Sequence, residues 1–329
     1  MFIMTQATQH VSWYKPNAEF YGARARKRHA SIEGLFKFVE TQQEVPSLRD
    51  LSDLFYELAG AMLVSGASAD VITELLQRSA RFGAAFFDFV LLPPDTEKEV
   101  ELEKGRTVTL KKVGSIPGGT DISFFNKAFY TSVICRELEL AHRLSEVPIN
   151  VTRYAQAMGE ADMYIFATAL QHYWRQEPDT PALLEQTLGS LSSSDIRSIA
   201  RTNAIHVLLN RDSQLLNECL LQILQSHREL HEEVNGGAEF FICIDALFLA
   251  VLAHDQELEV TVTSDYLPEY LVNGSFTTTK AIPTPGRPIP EFPHLQKYLD
   301  VIPTEPAPAR YTDRTITLVE EEEERYVDR

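Results

Sequence analysis

The fourteen residues from Phe240 to Ala253 are apolar except for Asp245, and no other stretch of this chain constrains its fold as strongly. Spanning a bilayer takes about 20 residues, so the run is too short to be a membrane segment. It is also too apolar all round to lie on a surface, and must be a helix covered on most sides. Such a helix needs several others around it. The chain has the material: 44% of its 329 residues are apolar, with 18 Phe and 12 Tyr for an aromatic core. Asp245 is the oddity, because burying an isolated carboxylate is costly. It calls for a buried Arg, a Tyr or free helix-end N–H groups as partner. The functional alternative is a catalytic acid with a raised pKa.

Helical periodicity begins with Ile32, Leu35, Phe36 and Val39, after a polar, aromatic-dotted segment 1–30 that reads as an arm or short helix. Ser47 and Asp50 have the spacing of a capping box, and Leu51, Leu54, Phe55, Leu58, Met62 and Leu63 follow as one stripe. A third helix, which Ser68 can cap, runs on until Pro93-Pro94. Between 97 and 113 the period changes to two. Val100 and Leu102 alternate with charges, Gly105 offers a turn, and Val108 and Leu110 alternate on return, which predicts a β-hairpin. Helices are then expected at roughly 121–145, 151–175, 181–191, 193–209, 213–233 and 238–255, the first capped by Asp121, with a short β-prone stretch over Leu258–Thr263.

Eight of the 17 prolines fall between Pro283 and Pro308, so extended chain replaces helix there, wrapping the main domain through Ile289, Phe292 and Leu295. Residues 311–329 end the chain with seven acids against three bases. The expected architecture is mostly α: an irregular bundle of stacked antiparallel helices over 31–275, with a small β-hairpin insertion at 97–113. Flanking it are the N-terminal arm 1–30, an extended Pro-rich segment 276–310 and a strand-like acidic tail 311–329.

The formal charge of −17 repels nucleic-acid phosphates and anionic lipid and attracts basic partners. Arg24, Arg26, Lys27 and Arg28 form a local exception, read as a solvated helix entry or arm. Cys135, Cys219 and Cys243 sit in apolar helical patterns as free buried thiols, and the N-terminus carries no basic-then-apolar export signal. A cytoplasmic protein is expected.

Motifs with chemistry are sparse. His227 and His231 share a helix face four residues apart, as a metal pair would. Arg228 occupies the place where a zinc-protease motif needs Glu, and the surrounding charges make a solvated face the plainer reading. Asp162 is a weaker counterpart of Asp245. Arg197 and Arg201, with Asn203, offer a basic notch for a carboxylate or phosphate, or else surface ion pairs. No phosphate-loop or nucleophile-elbow pattern occurs, and neither a metal nor a cofactor is called for.

Two segments point further. Residues 80–87 read Ala-Arg-Phe-Gly-Ala-Ala-Phe-Phe. Near the end, the apolar helix through Phe248–Asp255 leads to Ser264-Asp265-Tyr266-Leu267-Pro268. Together they resemble the bacterial immunity proteins of family forty-nine, all-helical antidotes of polymorphic toxin loci, over roughly residues 45–272. The shared pattern is one of packing residues, so no catalytic residue is carried over. The resemblance implies a stoichiometric inhibitor of a cognate protein toxin with a basic active-site cleft. Its contacts would come from the acidic tail, Glu320, Glu321, Glu322, Glu323 and Glu324, or from an acidic face of the helical domain. The alternatives are an enzyme of unfamiliar type, including one that reverses toxin damage, and a helical adaptor holding a peptide.

Overall fold

A computed structural model describes residues 10–114, 116–155 and 161–296, with the side chains of 153–155 and 161–162 left out. Twelve α-helices and two small sheets make up the described part. The fold is mostly α, as the periodicity predicts.

The first three helices are α1 (Ala18–Gln42), α2 (Ser47–Val64) and α3 (Ala69–Leu91). Asn17 caps α1 by accepting from the Phe20 N–H at 2.9 Å, so the helix starts well before Ile32 and carries the 24–28 basic cluster on it. No capping box forms at Ser47: it lies inside α2, whose N-cap is Pro46. Helix α3 stops at Leu91, before the two prolines. Small residues let it lie close to its neighbours. A Cβ on Gly83 would stand 2.8 Å from that of Ala128, and Ser52 and Ser79 exchange hydroxyl hydrogen bonds of 2.8 and 2.9 Å to each other's carbonyls. The Ala/Gly-rich aromatic patch at 80–87 is therefore a helix-packing surface.

Strands β2 (Glu97–Glu103) and β3 (Arg106–Lys111) form the expected antiparallel hairpin, with Val100, Leu102, Val108 and Leu110 on its buried face. Beyond it lie α4 (Ile122–Ile134), capped by Asp121 as expected, and α5 (Leu138–Ser145). The single helix expected over 121–145 is thus broken. Arg136 takes a left-handed φ of 55° at the break, and its buried guanidinium is occupied by Asp255 and three backbone carbonyls.

Helices α6 (Asn150–Ala155), α7 (Ala161–Trp174), α8 (Thr180–Ser190), α9 (Ile196–Asn210) and α10 (Ser213–Glu233) continue the stack. The apolar run does not form one helix. A 3-10 turn at Ala238–Phe241 is followed by α11 (Ile244–Asp255), and Cys243 is the helix N-cap. Helix α11 is the centre of the molecule, as its composition requires, with everything from Asp245 to Ala253 buried. An aromatic chain reaches it through α4: Phe87 of α3 meets Phe124 and Phe125, Phe125 stacks on Phe129, and Phe129 touches Trp174 of α7 and Phe248 of α11.

The β-prone stretch after α11 supplies β4 (Thr263–Ser264), paired in parallel with β1 (His10–Val11) from the N-terminal segment. A short helix, α12 (Glu269–Val272), precedes the extended chain. That chain is pinned by backbone bonds from Thr284 to Trp174 (3.1 Å) and Gly286 to Arg175 (2.8 Å). Leu295 is fully buried and Phe292 packs on the core, whereas Ile289 stays half exposed.

Candidate functional site

The break at 242–243 decides where Asp245 stands. It lies in the first turn of α11, where the helix dipole favours a negative charge. Its carboxylate accepts from Nε and Nη2 of Arg197 at 3.1 and 2.9 Å, with Arg201 Nη1 at 3.9 Å. The notch formed by Arg197 and Arg201 thus holds a carboxylate from the chain itself. Burial is the largest single influence on Asp245 and raises its pKa. The attraction of Arg197 and Arg201, the hydrogen bond from Arg197 and a smaller contribution from His227 together outweigh it. The carboxyl ends below its usual range. A carboxylate held ionised in this way is a poor proton donor at neutral pH. Its physical effect is to clasp α9 to the start of α11.

His227 and His231 are not on a solvated face. Both are buried on the inner side of α10, where they continue the stripe of Leu216, Leu220, Ile223 and Leu224. His227 Nε2 donates to the Phe240 carbonyl at 2.7 Å, and burial lowers its pKa to about 4, so it packs as a neutral ring. His231 Nδ1 meets the Tyr266 hydroxyl at 3.1 Å, and that hydroxyl also accepts from the Tyr14 N–H at 2.9 Å. The Tyr-Leu-Pro segment is therefore anchored by α10 and the N-terminal arm. No group of three His, Cys, Asp or Glu residues suited to a metal ion occurs among the described residues. The three cysteines are buried and unpaired, and burial pushes the Cys219 thiol up to about 11 and the Cys243 thiol up to about 12. The Asp162 side chain and Glu320–Glu324 lie outside the described residues.

Two features of the surface stand out for their chemistry. At the C-terminal end of α10, Leu230 and Val234 are exposed one turn apart, beside the exposed Glu229, Glu232 and Glu233. Between α1, α2 and α3 runs an open apolar groove of ≈480 Å³. Sequence reasoning had no means of finding the groove, because it depends on how three helices splay.

Among the described residues, the polar side chains singled out by sequence, Asp245, His227 and His231, are thus held by partners from the chain itself. The family described as Immunity protein 49 matches residues 65–271, and the chain belongs to that family. No curated protein and no solved structure matches it. Both segments that carry the resemblance, 80–87 and 248–268, fall within the matched span. No helix among the described residues is long and apolar enough to cross a membrane.

Proposed function

We propose that this protein neutralises a cognate protein toxin of a polymorphic toxin system, in the cytoplasm of its producer, by binding it in fixed stoichiometry and blocking its active site. Membership of an immunity family is the observation that carries the reading. The net charge of −17 supports a basic partner, since an acidic inhibitor is steered toward a basic cleft. The end of α10 has the character of such a contact, with an apolar pair to desolvate and carboxylates around it. Glu320–Glu324 offer a second contact of the same sign. On this reading the protein has no catalytic residue and needs no cofactor.

The test is a titration of toxin activity by the full chain, using the toxin recovered with a tagged copy from the native host. Inhibition should be complete at a fixed molar ratio. Protection by far less than one molecule per toxin would instead make the protein an enzyme and end this reading. A chain lacking residues 311–329 separates the two contacts: unchanged affinity removes the tail and leaves the helical face.

A further inference from the structure

The groove between α1, α2 and α3 differs in chemistry from the rest of this acidic molecule. Phe55 and Leu58 of α2, Ile32 of α1 and Leu75 of α3 form its buried wall, with Met62 and Val71 toward the opening. A dry apolar cavity of about 150 Å³ admits a benzene-sized group, so ≈480 Å³ has room for two or three bulky apolar side chains.

Its edge carries Arg26, His29 and Arg78 against one acid, Glu74. Glu74 is already paired to Arg78 at 2.9 Å, and the Arg78 guanidinium lies 5.4 Å from the centre of the Phe55 ring. Arg24 and Arg28 of the same basic cluster are taken up by Glu57, at 2.7 and 3.3 Å. Arg26, like Lys27 outside the lining, is exposed and in no ion pair of the described residues, so an unpaired positive charge stands at the groove edge. An apolar trough with a cationic edge, on a body of charge −17, complements apolar side chains flanked by carboxylates.

We propose that this groove docks an amphipathic helical segment of a partner protein, seating two or three leucine-sized side chains with Asp or Glu beside them. The proposal rests on the reading of the protein as a binder, and it gives that reading a surface of opposite sign to the α10 end. Most of the groove, its α1 and α2 walls, precedes residue 65, where the family match begins. Its α3 wall, with Val71, Glu74, Leu75 and Arg78, lies within the matched span.

Fluorescence anisotropy of a labelled helical peptide, with Leu at positions i, i+3, i+4 and i+7 flanked by Glu, tests the idea on the full chain. Controls are a Lys-flanked twin and a twin with Leu replaced by Ser. The Glu peptide should bind at least ten-fold more tightly than either twin and weaken as salt rises. Ala30→Trp, which fills the trough from an exposed position, should abolish binding, and Arg26→Glu should transfer the preference to the Lys peptide. Equal binding of the charge twins, or binding untouched in Ala30→Trp of unchanged Tm, overturns the proposal. So does a wild-type dimer that Ala30→Trp makes monomeric, because the occupant would then be a second copy. In the toxin titration, full neutralisation by both variants removes the groove and keeps the binder reading. Failure of the wild-type chain to neutralise removes the binder reading, and the peptide result still stands.

Discussion

Replacing Asp245 with Asn keeps the shape of the side chain and removes its charge. Asp245 and Arg201 side chains are only 9% and 12% exposed and that of Arg197 27%, so the two guanidiniums would be left in a largely dry site, one turn apart on α9. Breaking a buried pair by removing one partner costs about 3–5 kcal/mol. Asn still accepts one hydrogen bond, and water reaches Arg197, which places the expected loss near the lower bound, about 3 kcal/mol. With a urea slope of about 3 kcal/mol/M, the unfolding midpoint should drop by about 1 M at constant slope. Because the folded pKa of Asp245 is depressed, its contribution is present above the ordinary carboxylate pKa of about 4 and is lost as pH falls through the folded value. The gap between variant and wild type should thus be full at pH 7 and close only in strong acid. In the Asp245→Asn background, Arg197→Met should cost about 2 kcal/mol less than in the wild type. Additive effects of the two substitutions, or an unmoved midpoint, would refute the clasp.

Arg136→Met should cost a similar amount, since it strands Asp255 and the carbonyls of Ile134, Leu271 and Val272. Hydrogen exchange should quicken at Ala281, whose N–H is held by Asp255 at 2.7 Å, and unchanged protection there would count against the coupling. Between about pH 6.5 and 4 the unfolded chain takes up a proton that folded His227 refuses, so stability falls on acidification by up to about 1.4 kcal/mol per pH unit from this group. His227→Gln should flatten the dependence of Tm on pH in that window, and parallel curves would sink the assignment. A Cβ on Gly60 would lie 2.0 Å from the Ala238 carbonyl oxygen, so Gly60→Ala should lower stability by about 3 kcal/mol in urea unfolding. At Gly34 of α1 nothing lies within 4 Å, and Gly34→Ala should raise stability by about 0.5–1 kcal/mol in the same assay.

The elements that a linear pattern encodes were legible: the hairpin from its alternation, the end of α3 from its prolines, the central place of α11 from its composition. Both helix breaks that matter were hidden. At Arg136 the left-handed turn is held by tertiary bonds to Asp255 and to carbonyls more than a hundred residues away, with no glycine to mark it. At 242–243 the chain turns inside an unbroken apolar run, where the Tyr56 hydroxyl donates to the Ile242 carbonyl at 3.1 Å and the Cys243 N–H donates to that of Tyr266 at 3.3 Å. The start of α1 was readable from Asn17 but was masked by the polar residues after it. His227 and His231 were misread because Arg228, Glu229 and Glu232 drew attention to charge, although the spacing from Leu216 through Leu220 and Ile223 already placed both on the apolar face.

Three buried polar residues of this chain are joints between distant elements: Asp245 joins α9 to α11, Arg136 joins the α4–α5 break to the end of α11 and to α12, and His231 joins α10 to the Tyr266 segment. Each joint binds elements far apart in sequence, so a change there alters the scaffold, whereas a change at an exposed position leaves it intact. A protein that must recognise one partner and ignore its variants needs that division. If the protein inhibits a toxin as proposed, selectivity should map to exposed positions such as Arg26, Leu230 and Val234. Exchange of those positions between two family members should move neutralisation from one toxin to the other, whereas exchange of Asp245, Arg136 or His231 should change stability and leave selectivity as it was.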